Sequence, residues 1–268
     1  MTDEPHVLAE VADGIGWITL NRPEQLNTLS PQMKEIMFET TARFERDAAV
    51  RCVVIRGNGR HFMAGGNIKA FDESLSHGDR EAYFRGFEAR VVDAHQTIYH
   101  LRRMQKPVLA SIHGAVAGFG MSLMMASDLA IAGDDAIFTL AYRHIGLSAD
   151  GGASYFLPRI VGERRALEIA LLGERFDAWK AQEWGLLNWV VPRADLEAET
   201  AKLARRLADG PTLALGRAKQ LIRNSLDHSW DEQSHREAEA IADMVRTEDH
   251  HEGLRAFIEK RPPQFKAR

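Results

Sequence analysis

Residues 108–122 read Val108-Leu109-Ala110-Ser111-Ile112-His113-Gly114-Ala115-Val116-Ala117-Gly118-Phe119-Gly120-Met121-Ser122. A short apolar run predicts a buried strand, glycines turn the chain, and from Gly118 onward the pattern becomes helical. An earlier stretch, Cys52 to Ile68, has the same layout: Cys52-Val53-Val54-Ile55, a turn at Gly57-Asn58-Gly59, then Phe62-Met63-Ala64-Gly65-Gly66-Asn67-Ile68. Glycine at such turns lets backbone N–H groups face a cavity with no Cβ in the way. A helix starting near Gly118 brings the positive end of its dipole to the same place. Two N–H groups converging on one carbonyl oxygen form an oxyanion hole, the strongest electrostatic device available to acyl and enolate chemistry.

Other uses of glycine loops fail on spacing. A dinucleotide fingerprint begun at Gly114 would need glycine at Val116 and Phe119. No G-K-[ST] phosphate loop occurs, and the histidines, the pair His250-His251 included, lack zinc-ligand spacing, so no metal is expected.

Working outward, Ile15 to Leu20 reads as a strand stopped by Asn21-Arg22-Pro23. Ser30-Pro31 opens a helix, as N-cap and first helical residue, running to about Arg46. The charged stretch Asp72 to Gly78 reads as mobile, and a long helix follows to about Arg103. Asp128 to Ala132 and Ile137 to Leu140 read as strands, and Gly146 to Gly152 as a turn-rich loop. After Pro192 the chain reads as helices, broken near Gly210-Pro211 and Asp227. Strands alternating with helices predict an α/β fold with parallel pairing, followed by a helical appendage.

The chain has 268 residues, 45% hydrophobic and 27% charged, which suits one large domain or a domain with an appendage. A net charge of −4 supplies no basic field for nucleic acid. The lone Cys52 sits in an apolar run and reads as core, in keeping with a reducing compartment. Met1 to Pro5 is acidic and lacks the basic and apolar regions of a signal peptide, and Ala115 to Ala126 is too short to span a bilayer. A soluble, cytoplasmic protein is expected.

Read together, these segments resemble the crotonase (enoyl-CoA hydratase/isomerase) superfamily over nearly the whole chain. Trp17 to Pro23 with Leu26-Asn27 is similar to that family's first strand. Phe62 to Ile68 resembles its first oxyanion loop, Lys106 to Gly114 with Ala117 to Gly120 its second, and Asp128 to Ala132 follows in order. Phe257 to Phe265 resembles its closing signature. The resemblance implies a crotonase-like spiral of ββα units over residues 1–205 holding the acyl-CoA site. It implies a C-terminal α-helical oligomerisation region over residues 206–268 that builds a homotrimer, or a hexamer as a dimer of trimers. It also implies coenzyme A thioester substrates, no permanently bound cofactor, and no membrane or nucleic-acid partner. The oxyanion donors would be the N–H groups of Gly66 and Phe119, with Phe119 where the family has glycine. Ala64, Gly65, Asn67, Ile68, Gly118 and Ser122 would line the substrate site, and Arg22 and Lys260 are candidates for the coenzyme A phosphates.

The family's hydratases use two glutamates, since adding water across a conjugated double bond takes a base and an acid. Those positions are Ser122 and Tyr142 here. One acid remains nearby, Asp150, whose position resembles the catalytic aspartate of the dienoyl-CoA isomerases, the phenylacetyl-CoA pathway isomerases and the 4-chlorobenzoyl-CoA dehalogenases. Its bland alternative is to cap a helix beginning near Gly151. Asp150 as a base, with Tyr142 bonded to it, implies a double-bond isomerase acting through an enolate. Asp150 as a nucleophile, with His95 activating water, implies a hydrolytic dehalogenase-like enzyme. A weak hydratase and a non-catalytic acyl-CoA or RNA-binding relative complete the field.

Overall fold

The computed structural model describes residues 4–268; Met1, Thr2 and Asp3 of the acidic N-terminal stretch lie outside the described residues. The chain opens with β1 (Val7–Ala12) and β2 (Ile15–Leu20), then α1 (Pro31–Arg46), β3 (Cys52–Gly57), α2 (Ile68–His77) and α3 (Arg80–Arg103). It continues with β4 (Val108–Ile112), β5 (Ala115–Ala117), α4 (Phe119–Ala126), β6 (Leu129–Gly133) and β7 (Ile137–Thr139). Next come α5 (Ala153–Val161), α6 (Glu163–Leu172), β8 (Phe176–Asp177), α7 (Ala178–Glu183) and β9 (Trp189–Val191). The chain closes with α8 (Leu196–Ala208), α9 (Thr212–Asn224), α10 (Trp230–Val245) and α11 (Glu248–Glu259).

Six strands form one sheet in the order β1-β2-β3-β4-β6-β9, parallel except for the antiparallel edge pair β1-β2. A second sheet holds β5-β7-β8. Strands β3 and β4 are apolar at successive positions because both faces are covered. Val53 and Ile55 join the main core with Ile18, Phe44, Phe62 and Phe138, while Cys52 and Val54 face Leu109, Ile131 and the α8 residues Leu196, Ala204 and Ala208. Burial pushes the Cys52 thiol up to about 12, as a core cysteine requires.

The α/β reading holds, with differences of detail. The stretch read as mobile, Asp72 to Gly78, lies almost wholly in α2, whose first turn is capped by the Asn67 side chain accepting from the Ala70 N–H at 3.2 Å. Strands β1, β5, β8 and β9 escaped the sequence reading. The boundary drawn at residue 205 falls inside α8, which packs on the central sheet.

The helical end is fastened to the core by ions. Asp128, just before β6, takes Lys219 Nζ at 2.9 Å and an Arg223 guanidinium nitrogen at 2.6 Å, both from α9. Arg51, just before β3, donates to the Thr212 hydroxyl and to the carbonyls of Gly210 and Phe265. Among the described residues no helix is long and apolar enough to cross a membrane.

Candidate active site

The two glycine loops lie against each other. Phe62 and Met63 donate their N–H groups to the carbonyls of His113 and Ala115, and Ala117 returns one to Met63 at 2.9 Å. This short parallel pairing brings Gly65 beside Gly118. A Cβ on Gly65 would stand 3.0 Å from the Ala117 carbonyl oxygen, and one on Gly118 would stand 3.6 Å from the Gly65 Cα. Both residues have positive φ, +86° and +50°, so glycine serves conformationally at both and sterically at Gly65. The first loop is held from behind as well: Ala64 donates to the Leu26 carbonyl, and Leu29 donates to that of Gly65.

Past this contact each loop presents free backbone donors. Among the described residues neither the Gly66 N–H nor the Phe119 N–H has a hydrogen-bond acceptor. Phe119 is the first residue of α4, where an N–H has no partner within the helix. Its side chain does not disturb this, since the donor belongs to the backbone.

Asp150 is linked to the second loop through Tyr142, whose hydroxyl stands 3.8 Å from where a Gly118 Cβ would be. That hydroxyl donates to Asp150 Oδ1, and among the described residues Oδ2 has no partner. Burial first, and the Asp150 charge second, push the Tyr142 phenol well above its ordinary range, so it remains a neutral donor. The Ser122 hydroxyl donates to the Asp150 backbone carbonyl at 2.8 Å. The next residue, Gly151, has φ +62°, and a Cβ there would meet the Ser122 Cβ at 2.6 Å and the Phe119 ring at 3.0 Å. The loop is thus pressed against α4 by contacts on both sides of Asp150.

His95, on α3, accepts the Gly151 N–H at its Nε2, 2.9 Å away. The ring nitrogen nearest the loop is therefore an acceptor already engaged. Helix capping by Asp150 needs correction. Helix α5 starts at Ala153 after Gly152, without a side-chain cap, and Asp150 contributes only its backbone carbonyl to the Ala153 N–H.

Of the two phosphate candidates, Arg22 belongs to the turn that backs the first glycine loop and Lys260 to the end of α11. The Arg22 guanidinium is drawn onto its own turn, donating to the Thr28 carbonyl and to the Gln25 side chain. Lys260 is exposed at the left-handed end of α11, with φ +53°. Within this subunit the structure brings together Gly65, Gly66, Gly118, Phe119, Ser122, Tyr142, Asp150 and His95. Asn67 and Ile68 begin α2 beside them.

The sequence reading passed over Phe71, whose ring tip stands 3.2 Å from where a Gly66 Cβ would be. The signal was available: Ile68, Phe71 and Leu75 recur at helical spacing.

Comparison with known proteins fits this geometry. The model of the family described as Enoyl-CoA hydratase/isomerase matches residues 10–268. The chain is 35% identical over 264 residues to 1,2-epoxyphenylacetyl-CoA isomerase of Escherichia coli (strain K12), covering 97% of each chain. It is 32% identical over 255 residues to 4-chlorobenzoyl coenzyme A dehalogenase-2 of Arthrobacter sp, covering 95% of this chain and 91% of that one. Among solved structures, an enoyl-CoA hydratase/isomerase from Mycobacterium abscessus matches with a TM-score of 0.92 at 32% identity, over 98% of this chain and 100% of that one.

Proposed function

The chain belongs to the enoyl-CoA hydratase/isomerase family, and from that premise we propose that it is a double-bond isomerase in which Asp150 is the single base. Its fold is the crotonase-like one, and it is an enzyme acting on coenzyme A thioesters.

One observation carries the reading: among the described residues Asp150 has one carboxylate oxygen held by the Tyr142 hydroxyl and the other without a partner, on a loop packed against Ser122 and the Phe119 ring. The thioester oxygen would accept from the Gly66 and Phe119 N–H groups. Asp150 Oδ2 would take a proton from the acyl chain, the C–H electron pair passing into the enolate that those donors stabilise. The same oxygen would return the proton at the other end of the conjugated system, so that one carboxylate suffices. Tyr142 would hold its own proton throughout and keep the carboxylate in place. The reaction draws on no permanently bound cofactor, since base and donors belong to the chain.

The competing chemistries lack parts. Hydration needs a second acid, and the hydroxyls of Ser122 and Tyr142 are both engaged with Asp150. Hydrolysis through an aryl ester needs a free basic nitrogen, and His95 Nε2 is occupied by the Gly151 N–H. A homotrimer, or a pair of trimers, is the proposed assembly. Its support is the apolar surface of the C-terminal helices, where Trp230, Phe257 and Ile258 are 75%, 85% and 77% exposed.

The test is conversion of a 3-enoyl-CoA to the conjugated 2-enoyl thioester, followed by ultraviolet absorbance. Asp150→Ala should lower the rate on the order of a thousandfold. Conversion that survives this substitution would sink the reading, and chloride release from 4-chlorobenzoyl-CoA would replace it with the hydrolytic one.

A further inference from the structure

We infer that Arg143 is a positioning residue: by clasping the C-terminal carbonyls of α6 it holds the Tyr142 phenol against Asp150. The inference rests on the reading of Asp150 as the base, since Arg143 acts only through Tyr142 and Tyr142 only through that carboxylate.

Tyr142 takes its place from no regular helix or strand. It follows Ala141, whose φ of +58° is a left-handed conformation that costs a non-glycine residue energy. It opens a single 3-10 turn, Tyr142–Ile145, that ends at a second left-handed residue, Gly146. Its N–H donates to the Leu140 carbonyl, and its own carbonyl accepts from the Leu147 N–H. Bonds of such short range fix the shape of the turn and leave its place in the molecule open. The ring packs against the core, yet packing tolerates a small slide along the ring that a hydrogen bond at its tip does not.

Three side chains tie the turn down, and all end on the C-terminus of α6. Ahead of Tyr142, the Thr139 hydroxyl donates to the Gly173 carbonyl at 3.1 Å. Directly after it, Arg143 Nη1 donates to the carbonyls of Leu171 and Leu172 at 2.7 and 2.9 Å. His144 Nε2 then donates to the Gly173 carbonyl at 3.0 Å. The last carbonyls of a helix have no partner within it, and the negative end of its dipole favours a cation, so the guanidinium is the strongest tie. Gly173 shows how closely the clasp is drawn. Its φ is +63°, and a Cβ there would meet Arg143 Cγ and Cδ at 2.8 and 2.9 Å and His144 Nε2 at 3.0 Å.

Asp150 is anchored elsewhere, since Ser122 on α4 and His95 on α3 fix the two sides of the Asp150–Gly151 peptide. The phenol and the carboxylate therefore hang from different helices, and their bond forms only if both anchors hold. Arg143 is exposed, so its loss should disturb the turn far more than the stability of the whole fold.

The experiment is a double-variant cycle on conversion of a 3-enoyl-CoA. Arg143→Met keeps the stem over Gly173 and removes the donors. It should lower kcat about fivefold, with KM within about twofold and the melting temperature within about 2 °C. Arg143→Lys, which still offers a cationic donor to those carbonyls, should recover most of the loss. In a Tyr142→Phe background Arg143→Met should cost nothing further, because the bond it protects is already gone. An unchanged kcat in Arg143→Met, or a loss that simply adds to that of Tyr142→Phe, would overturn the proposal. The ultraviolet resonance Raman doublet of Tyr142, taken as wild type minus Tyr142→Phe, should shift towards a weaker hydrogen bond in Arg143→Met, and an unshifted doublet would equally overturn it. The spectrum needs no turnover. A wild type that moves no double bond would sink the isomerase reading by itself, while the doublet still decides the clasp.

Discussion

The Tyr142 hydroxyl donates to Asp150 Oδ1, so this acid is half engaged by a residue eight positions before it in the chain. The proton of this bond stays with the phenol, because burial and the adjacent carboxylate both oppose its release. Tyr142→Phe keeps the ring and removes the donor. It should lower kcat about tenfold to a hundredfold with KM nearly unchanged, measured by the 3-enoyl-CoA assay.

The same phenol gives a pH prediction. In the unfolded chain Tyr142 loses its proton near a pH of about 10, whereas the folded site retains it. Its contribution to stability is present below that pH and falls away above it. Alkaline denaturation should therefore begin at higher pH in Tyr142→Phe than in wild type, as read by near-ultraviolet circular dichroism.

His95 supplies an acceptor at 2.9 Å from the Gly151 N–H, and an acceptor can be supplied by another side chain. Under the isomerase reading His95→Gln should retain activity within about threefold, while His95→Ala should lose on the order of tenfold or more by leaving that donor unpaired. Equal and large losses in both variants would return His95 to a direct chemical role.

Gly118 tests the oxyanion loops. At φ +50° and ψ −120° a side chain is strained by its backbone, although its Cβ would stand in ordinary contact, 3.6 Å from the Gly65 Cα and 3.7 Å from the Tyr142 ring. Gly118→Ala should shift the Phe119 donor and lower kcat by roughly a hundredfold or more, with a smaller change in melting temperature. A variant with unchanged kcat would exclude Phe119 as an essential donor.

Lys219 tests the fastening of the helical end. It is buried between Asp128 and the carbonyls of Leu101 and Lys106, and burial lowers its pKa to about 8 despite those partners. The unfolded chain binds this proton up to its ordinary pH, so unfolding free energy should rise between the folded and unfolded values, by on the order of 3 kcal/mol at most. Lys219→Met should abolish that rise in urea titrations. Asp128→Asn should destabilise by roughly 3 to 5 kcal/mol by leaving buried cations uncompensated.

The order of strands, turns and helices around the glycine loops was legible because apolar runs and glycines carry local information. Ser30-Pro31 announced α1 correctly, and Ser30 Oγ accepts from the Met33 N–H. Helix α2 was lost because its charges outweighed the spacing of Ile68, Phe71 and Leu75. Strand β1 was missed because it is an edge strand with Leu8 and Val11 exposed, which blurs the alternation. Within the site, the residue types pointed to Asp150, but the engagement of His95 with Gly151 joins positions 56 apart in the chain. The Asp128 knot likewise depends on where α9 lands. No local pattern encodes either.

In the proposed mechanism both oxyanion donors, at Gly66 and Phe119, are main-chain amides, while the base is a single replaceable side chain. The half of the machinery that every substrate would share is thus written in backbone geometry, out of reach of most point mutations. In that mechanism the half that decides which bond is made or broken would rest on a few side chains, those at 122, 142, 150 and 95. Such a scaffold can change its reaction in small steps without rebuilding what grips the substrate, and a lineage can exchange one chemistry for another while the fold is inherited intact.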